Sequence, residues 1–209
     1  MNILVGCEES QRVCLAFREK GHNAFSCDIQ DCSGNHPQYH IKGNLLDLLC
    51  TDVTFTTVDG TSHFVSKWDM LIAFPPCTYF SRVNFLNYFK KTGFNKQRFD
   101  KALEMVAFFN TLYNSDIEKI CLENPVPLFL FNDLLPPYSM ILQPYEFGEP
   151  YTKKTCLWLK GLPYLMPTLY CPYTVPFVDL KDSRSLKKKS KERSKTFYGV
   201  ASAMASQWG

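Results

Sequence analysis

Short hydrophobic runs alternate with amphipathic stretches along this chain. Each run is long enough for one buried strand, and stretches such as 99–113 place apolar side chains at helical spacing. Because strands and helices alternate, the pattern predicts an α/β protein with a mostly parallel sheet and helices on both faces. We find no internal repeat or linker, so residues 1–209 are expected to form a single domain. The predicted strands are 2–6, 23–28, 39–43, 69–74, 117–122, 140–144 and 155–159.

Two further helices are predicted from the same periodicity. One lies between Gln11 and Gly21, and the other covers 197–205, where small residues should let it pack tightly near the first strand. The stretch 49–67 is expected to be irregular or weakly stranded. Residues 163–176 contain four prolines and are not expected to hold regular structure.

The composition is ordinary for a globular protein, with 45% hydrophobic and 21% charged residues. The apolar runs are far shorter than a membrane span, and no export signal precedes the first of them. We therefore expect a cytoplasmic protein without a membrane partner. The nine cysteines are scattered and odd in number, which in such a chain favours reduced thiols over a disulfide framework.

The net charge of +3 is small, but eight basic and two acidic residues are concentrated within 181–195. Such a run indicates contact with phosphate groups, as in a nucleic acid. A solvated surface segment has the same composition, so that alternative stays open.

The stretch 69–77 carries the clearest chemistry. Five apolar residues follow Asp69 and should form a buried strand, which Pro75 and Pro76 then stop because proline cannot donate to a sheet ladder. Open α/β sheets bind their ligands at the carboxyl ends of the strands. Cys77 is therefore a candidate nucleophile on a stiff diproline at a strand tip. The alternative is a cysteine that only packs.

A second strand tip carries a carboxylate. The predicted strand 117–122 is followed by Glu123, Asn124 and Pro125, so proline again ends the element. In a parallel sheet this tip lies at the same edge as Cys77, and the two tips together predict one site.

Acidic residues also follow the second and third predicted strands. Asp28 lies about 20 residues after the first turn, which is the position that bonds a ribose hydroxyl in nucleotide-binding βαβ units. Asp47, at the next tip, could accept from an exocyclic amine. The first turn, from Gly6 to Gln11, lacks G-x-G-x-x-G, which argues against a dinucleotide and its pyrophosphate. Each acid taken singly is also compatible with a helix cap or a surface charge.

Four residues, Cys27, Cys32, His36 and His40, raise the alternative of a zinc site. Their spacing, C-x4-C-x3-H-x3-H, does not match the common fingers or ribbons, and the segment contains a glycine and a proline. We therefore expect an ordinary loop and no metal.

Taken in order, these motifs resemble the DNA cytosine-5 methyltransferase family, in the small form often found in phage genomes. The resemblance implies a Rossmann-like, S-adenosylmethionine-dependent methyltransferase fold and, for a phage-encoded enzyme, the host cytoplasm. Its most specific part is the diproline–cysteine followed later by Glu-Asn. The matching segments are Leu4-Val5-Gly6 with its helix, Asp28, Asp47, Pro75-Pro76-Cys77, Glu123-Asn124-Pro125, Lys153-Lys154-Thr155 and the helix from Gly199 to Trp208.

The resemblance also implies roles for single residues. Cys77 would be the nucleophile that adds to C6 of cytosine, and Glu123 would hydrogen-bond the N3/N4 edge of the ring. Asp28 would hold the ribose of S-adenosylmethionine and Asp47 the adenine amine, with Ile29 packing on the adenine. The further contacts expected are Gly6, Cys7, Glu8, Ser10, Gln11 and Pro75 for the cofactor, and Pro76, Ser81, Asn124, Lys153 and Lys154 for the substrate.

Two departures from the family pattern leave alternatives open. Its Gln-x-Arg-x-Arg is replaced by 151–155, where Lys153 or Lys154 would stand in for the arginines. Its target-recognition region is reduced to about 166–193, which is small for reading a duplex. Methylation of DNA is the favoured function. The alternatives are the same chemistry on RNA, single-stranded DNA or a cytidine nucleotide, or a non-catalytic nucleic-acid-binding module, with a partner subunit or homodimer also left open.

Overall fold

The computed structural model describes residues 1–90, 93–177 and 194–209 of the chain. The α-helices in these ranges are α1 (Arg12–Glu19), α2 (Lys96–Tyr113) and α3 (Tyr198–Trp208). The strands are β1 (Asn2–Gly6), β2 (Asn23–Asp28), β3 (His40–Lys42), β4 (Val53–Thr56), β5 (Ser62–Val65), β6 (Met70–Ala73), β7 (Phe89–Lys90), β8 (Gly93–Phe94), β9 (Lys119–Pro125), β10 (Met140–Leu142), β11 (Tyr151–Thr152), β12 (Thr155–Lys160) and β13 (Val175–Pro176).

Seven strands form one sheet in the order β10-β12-β9-β6-β1-β2-β3. Neighbours from β3 to β9 run parallel, and β12 is antiparallel to both β9 and β10. This confirms the predicted Rossmann-like α/β class with a mostly parallel sheet. The chain passes from β1 to β2 on one side and later returns to β6 on the other. Ligands of open α/β sheets bind where the strand order reverses in this way, outside the carboxyl ends of the strands.

Helices cover both faces of the sheet, as predicted. Successive strand residues point to opposite faces, so Ile3 belongs to the buried cluster of α1 and α3, whereas Leu4 belongs to that of α2. In β6, Leu71 and Ile72 are both completely buried, one on each face. A strand covered on both sides has no solvated face, which explains why β6 is a continuous apolar run in the sequence.

Helix α3 packs close to its neighbours because its first turn contains a glycine. A Cβ atom at Gly199 would lie 1.8 Å from the carbonyl oxygen of Phe147, so no other residue fits there without a shift of backbone. Ala203 and Met204 of this helix are buried in one cluster with Ile3 of β1. The prediction that the small-residue helix packs near the first strand is therefore confirmed.

Two of the differences from the predictions concern strands. Residues 49–67 form the regular antiparallel β4–β5 hairpin, which is held by ring contacts from Phe55 to Phe25 at 5.0 Å and to Trp68 at 5.8 Å. Strand β9 continues to Pro125, beyond the predicted end, because β12 pairs with it from the other side. Both differences come from partners distant in sequence, which a local pattern does not show.

Helix α2 begins at Lys96, three residues before the predicted start. The side chain of Asn95 accepts from the backbone N–H of Arg98 at 3.1 Å, which caps the first turn. Within 163–176 the only strand is the two-residue β13, so this proline-rich stretch is nearly as irregular as expected.

The nine cysteines all lie within the described ranges, and none of them forms a disulfide. Four of them are buried in the core, where a cysteine packs as a small apolar side chain. Two, Cys50 and Cys77, are exposed. No helix in the described ranges combines the length and the apolar character needed to cross a bilayer.

Candidate active site

The predicted site residues meet at the edge of the sheet where the strand order reverses. The register pairs Gly6 of β1 with Ala73 of β6, and Ala73 with Leu122 of β9. The residues that follow these three therefore lie side by side at this edge of the sheet. They include the diproline that leads to Cys77 on one strand and Glu123 on the next.

Cys77 is exposed, and the turn that carries it is anchored from β9. Pro75 is buried, and its carbonyl oxygen accepts a hydrogen bond of 2.8 Å from the Asn124 side-chain amide. Asn124 itself is only 1% exposed. The residue after Glu123 thus fixes the start of the Cys77 turn, which ties the two predicted strand tips together.

The segment after Cys77 is held by helix α2 and by a tyrosine. The Arg98 guanidinium donates to the carbonyl oxygen of Thr78 at 2.6 Å and lies over the ring of Tyr79, 5.0 Å from its centroid. The hydroxyl of Tyr88 donates to the carbonyl oxygen of Tyr79. The sequence motifs did not single out Arg98 or Tyr88, because nothing in the local pattern links a helix residue to a turn 20 positions earlier.

Main-chain hydrogen bonds complete this anchoring. The backbone N–H of Arg82 donates to Val126 at 3.0 Å, and the N–H of Leu128 donates to Phe80 at 2.7 Å. Between them lies Ser81, which is 1% exposed and whose hydroxyl has no hydrogen-bond partner among the described residues. Buried hydroxyls are nearly always paired, so Ser81 is a candidate contact for a ligand.

Glu123 lies half-buried at the end of β9, beside Lys153 and Thr155. Burial raises the pKa of its carboxyl above the ordinary value, while the Lys153 ammonium and the Thr155 hydroxyl oppose that rise. These residues line a small cavity of about 20 Å³, which also contacts Phe197 of the segment before α3. A carboxyl whose pKa is raised keeps its proton to a higher pH, and the protonated form can donate a hydrogen bond.

The two predicted lysines lie in different environments. Lys153 is half-buried, faces Glu123 and has its ammonium 5.8 Å from the ring centroids of both Phe177 and Phe197. Lys154 is exposed and is not among the residues that line the Glu123 cavity. The two aromatic residues were missed by the sequence motifs, although an aromatic residue on each side of a basic run is a signal that could have found them.

In the first turn, two predicted cofactor residues use their side chains inside the protein. The Glu8 carboxylate accepts from the backbone N–H groups of Val13 at 2.6 Å and Cys14 at 3.1 Å, so it caps α1. The Gln11 amide donates to the carbonyl oxygen of His36 at 2.9 Å and accepts from its N–H at 3.1 Å. Glu8 therefore fixes the helix, and Gln11 fixes the loop after β2.

The remaining first-turn residues are placed by the backbone. Gly6 leaves room for Leu45, because a Cβ atom there would lie 2.2 Å from a methyl carbon of that side chain. Cys7 has a positive φ of 56°, which turns the chain sharply out of β1. Burial, followed by the nearby Asp28 and the Cys27 thiol, raises the pKa of Cys7 to about 12, so its thiol is neutral at neutral pH. Ser10 is buried.

The acidic residues predicted for the cofactor lie at neighbouring strand tips. Asp28 ends β2 and is half-buried, with one carboxylate oxygen accepting from the Gln30 N–H at 2.9 Å. Asp47 is exposed in the turn after β3. Burial raises the pKa of the Cys27 thiol, and both carboxylates add to that rise, so both lie near this thiol. Ile29 is 77% exposed, an unusual environment for a large apolar side chain.

Two residues of the zinc alternative, His40 and Cys27, make other contacts. The two ring nitrogens of His40 lie 2.8 Å from the Ser26 hydroxyl and 2.9 Å from the carbonyl oxygen of Gln30. The buried Cys27 thiol donates to the carbonyl oxygen of Gly43. Across the described ranges, no group of three or more His, Cys, Asp or Glu residues is arranged to hold a metal.

The expected recognition and basic segment is described only in part. Residues 178–193, which carry most of the basic run, lie outside the described residues. Residues 166–177 are largely exposed and include Tyr170 and Tyr173, at 63% and 85% exposure.

Comparison with known proteins gives a limited result. No protein-family model matches the chain, and no curated protein matches its sequence. Among solved structures, the chain is similar to an E. coli protein described as a "putative DNA modification methyltransferase encoded within prophage", with 13% identity and a TM-score of 0.49 over 83% of this chain. It is also similar to the Entamoeba histolytica methyltransferase EhMeth, with 12% identity and a TM-score of 0.47 over 84% of this chain.

The chain spans only 53% and 57% of the lengths of those two proteins. With identities this low and TM-scores below 0.5, the assignment of a function rests on the residues of the site itself.

Proposed function

We propose that this protein is an S-adenosylmethionine-dependent methyltransferase that methylates C5 of a cytosine in DNA through a covalent adduct with Cys77. The observation that carries the proposal is the pairing of two strand tips. An exposed thiol follows β6, a carboxyl with a raised pKa ends β9, and Asn124 joins them through its hydrogen bond to Pro75.

In the proposed reaction the Cys77 thiolate adds to C6 of the cytosine ring and forms a C–S bond. The electron pair of the C5–C6 double bond moves towards C5, which becomes nucleophilic. After C5 has gained a methyl group, a base removes the C5 proton, the double bond re-forms and the thiolate leaves. A thiol suits this sequence because sulfur is a strong nucleophile and also a good leaving group.

Glu123 is proposed to assist the addition step. Negative charge develops on the ring when the thiolate adds, and a protonated carboxyl at the N3/N4 edge can neutralise it by donating a hydrogen bond. The raised pKa of Glu123 supports this role. Lys153, which opposes the rise, is proposed to limit it and to take the place of an arginine at the cytosine carbonyl.

The residues near β1 to β3 are compatible with the proposed cofactor. Asp28 and Asp47 provide carboxylate oxygens at neighbouring tips for the ribose and the adenine amine, and the exposed Ile29 offers an apolar surface to the adenine. When bound, S-adenosylmethionine supplies a methyl group on a positively charged sulfur. Glu8 and Gln11 are proposed to support this region by holding α1 and the loop after β2.

The first experiment measures transfer of labelled methyl groups from S-adenosylmethionine to duplex DNA, single-stranded DNA, RNA and dCMP. We expect label on DNA with the wild type and at least a 1,000-fold loss, on the order of that expected when a nucleophile is removed, in Cys77→Ser. Cys50→Ser is the matched control, because Cys50 is the other exposed thiol. Label that persists in Cys77→Ser would refute the mechanism.

A second measurement traps the proposed intermediate. A substrate with 5-fluorocytosine carries no C5 proton to remove, so the adduct with Cys77 should persist and add the mass of the oligonucleotide to the protein. Wild-type protein that binds S-adenosylmethionine but forms no adduct with any substrate would favour a non-catalytic binding module instead.

A further inference from the structure

A cavity among the described residues lies beside the segment that follows Cys77, and the proposed methyl transfer does not use it. It is an open cleft of about 880 Å³, within the range of roughly 300–1,000 Å³ that ligand pockets occupy. One wall is the 3-10 turn Arg82–Asn87, and the other is the segment 126–138 that follows β9.

The cleft is lined mainly by aromatic rings and prolines. Phe85, Phe129 and Tyr138 are 40%, 58% and 42% exposed, so their ring faces remain open to a ligand. The ring centroids of Phe85 and Phe129 lie 6.2 Å apart with their planes tilted by 43°, so the two rings provide adjacent surfaces on which separate bases could stack. Pro136 and Pro137 stiffen the wall formed by 126–138, so less backbone entropy is lost when a ligand binds there.

Among the described residues that line the cleft, one is charged, and it is a cation. This cation is Arg82, whose side chain is exposed. The described residues that line the cleft include no carboxylate. A positive group beside exposed aromatic rings is the combination by which proteins bind single-stranded nucleic acid, because every base has a face to stack and every phosphate carries a negative charge.

The two walls of the cleft are joined by main-chain contacts directly after the two strand tips of the candidate active site. Ser81 forms a β-bridge to Pro127, and the Arg82 N–H donates to the Val126 carbonyl oxygen. The wall that bears Arg82 and Phe85 therefore begins a few residues after Cys77, and the opposite wall begins directly after β9 with its Glu123. A strand whose cytosine reached Cys77 would have its next nucleotides at this cleft.

We infer that the cleft binds unpaired nucleotides next to the target cytosine, with bases stacked on Phe85 and Phe129 and a phosphate at Arg82. The inference builds on the proposed function and makes its substrate a single strand. Bases in a duplex are already stacked on their neighbours, so their faces are not open to these rings. The small recognition segment agrees with this, since a single strand offers base edges without a groove to read.

The test measures binding of a fluorescent oligothymidylate of about 12 nucleotides, a length within the site sizes of single-strand binders. It contains no cytosine, so the result does not depend on chemistry at Cys77. We expect about tenfold weaker binding in Phe129→Ala and in Arg82→Gln, from lost stacking and a lost phosphate contact. Phe129→Leu should lose nearly as much as Phe129→Ala, because it keeps apolar area but not the ring.

The matched control is Phe64→Ala on β5, which removes a phenylalanine of similar exposure, 64%, far from the cleft in the sequence. Thermal unfolding of each variant shows whether it is folded. Unchanged binding in Phe129→Ala, an equal loss in Phe64→Ala, or equal affinity for a duplex of the same length would each overturn the inference. An oligouridylate arm distinguishes RNA from DNA, and binding of either polymer in the expected pattern supports it.

The two proposals fail in different ways. Normal adduct formation at Cys77 together with unchanged binding in the cleft variants would remove only the single-strand inference. Binding that depends on Phe129 and Arg82, with no adduct on any 5-fluorocytosine substrate, would leave a nucleic-acid cleft and remove the methyl transfer.

Discussion

Two regions of this protein each hold a carboxyl whose pKa is raised by burial, and the surroundings of the two carboxyls differ. In the first turn, burial raises the pKa of Glu8 to about 8, against hydrogen bonds from two helix N–H groups. At the tip of β9, burial raises the pKa of Glu123, against Lys153 and Thr155. Glu8 is 3% exposed and enclosed, whereas Glu123 is half-buried at the edge of the crevice.

The comparison teaches that a raised pKa alone does not identify a catalytic acid. Both carboxylate oxygens of Glu8 are occupied by the backbone of α1, so this acid has a structural role. Glu123 instead has a lysine and a threonine beside it and an exposed thiol on the adjacent tip. Near it, the Asn124 side-chain oxygen is buried without a hydrogen-bond partner among the described residues. Such a group costs roughly 1–3 kcal/mol and indicates a site that a ligand completes.

The largest effect in this comparison is expected on catalytic activity, when Glu123 is replaced. Glu123→Gln should lower kcat by about 10²–10⁴-fold, because the amide cannot provide the proton of a general acid. S-adenosylmethionine binding, measured by calorimetry, should stay within about twofold of the wild type. The wild-type rate should also fall as pH rises through the raised pKa of Glu123, since the protonated form is the active one. A rate insensitive to Glu123→Gln would remove the distinction between the two regions.

Glu8 should instead control the pH dependence of folding. Its folded pKa of about 8 exceeds its ordinary value of 4.5, so the folded state binds the proton more tightly. The resulting stabilisation, on the order of 5 kcal/mol, is fully present below pH 4.5 and is lost as pH rises through 8. Glu8→Gln should remove this pH dependence. In denaturant unfolding, the free energy of unfolding of the wild type should therefore fall between pH 5 and pH 8 by more than that of the variant. If the free energies of unfolding of the two proteins changed equally with pH, Glu8 would not be the group that controls the pH dependence of folding.

The smallest of these effects concerns the cofactor side of the crevice. Asp28→Asn and Asp47→Asn should each weaken S-adenosylmethionine binding by about tenfold, the loss expected for a charge-assisted hydrogen bond. Binding of oligothymidylate should not change, because both residues lie on the β2–β3 side, away from the aromatic cleft. Asp59→Asn, in the turn of the β4–β5 hairpin, is the control. Equal losses in all three variants would indicate a general charge effect.

Several parts of the fold were predictable from local sequence. The bounds of β1 and β2 agree with the prediction, because an apolar run is ended by Gly6 in one case and by Asp28 in the other. The β4–β5 hairpin was less clear, since it depends on ring contacts of Phe55 with Phe25 and Trp68. The cleft was not predictable at all, because its two walls lie about 45 residues apart and meet only through main-chain hydrogen bonds.

The sequence alone determined which chemical groups lie at the strand tips, because proline, glycine and acidic residues end strands by local physics. It placed Cys77 after a diproline and Glu123 at the end of an apolar run.

Only the tertiary structure decided how these groups are used. It turned Glu8 and Gln11 inwards, set Lys153 rather than Lys154 beside Glu123, and joined Asn124 to Pro75. Burial and hydrogen-bond partners depend on neighbours distant in the chain, and these only the folded sheet brings together.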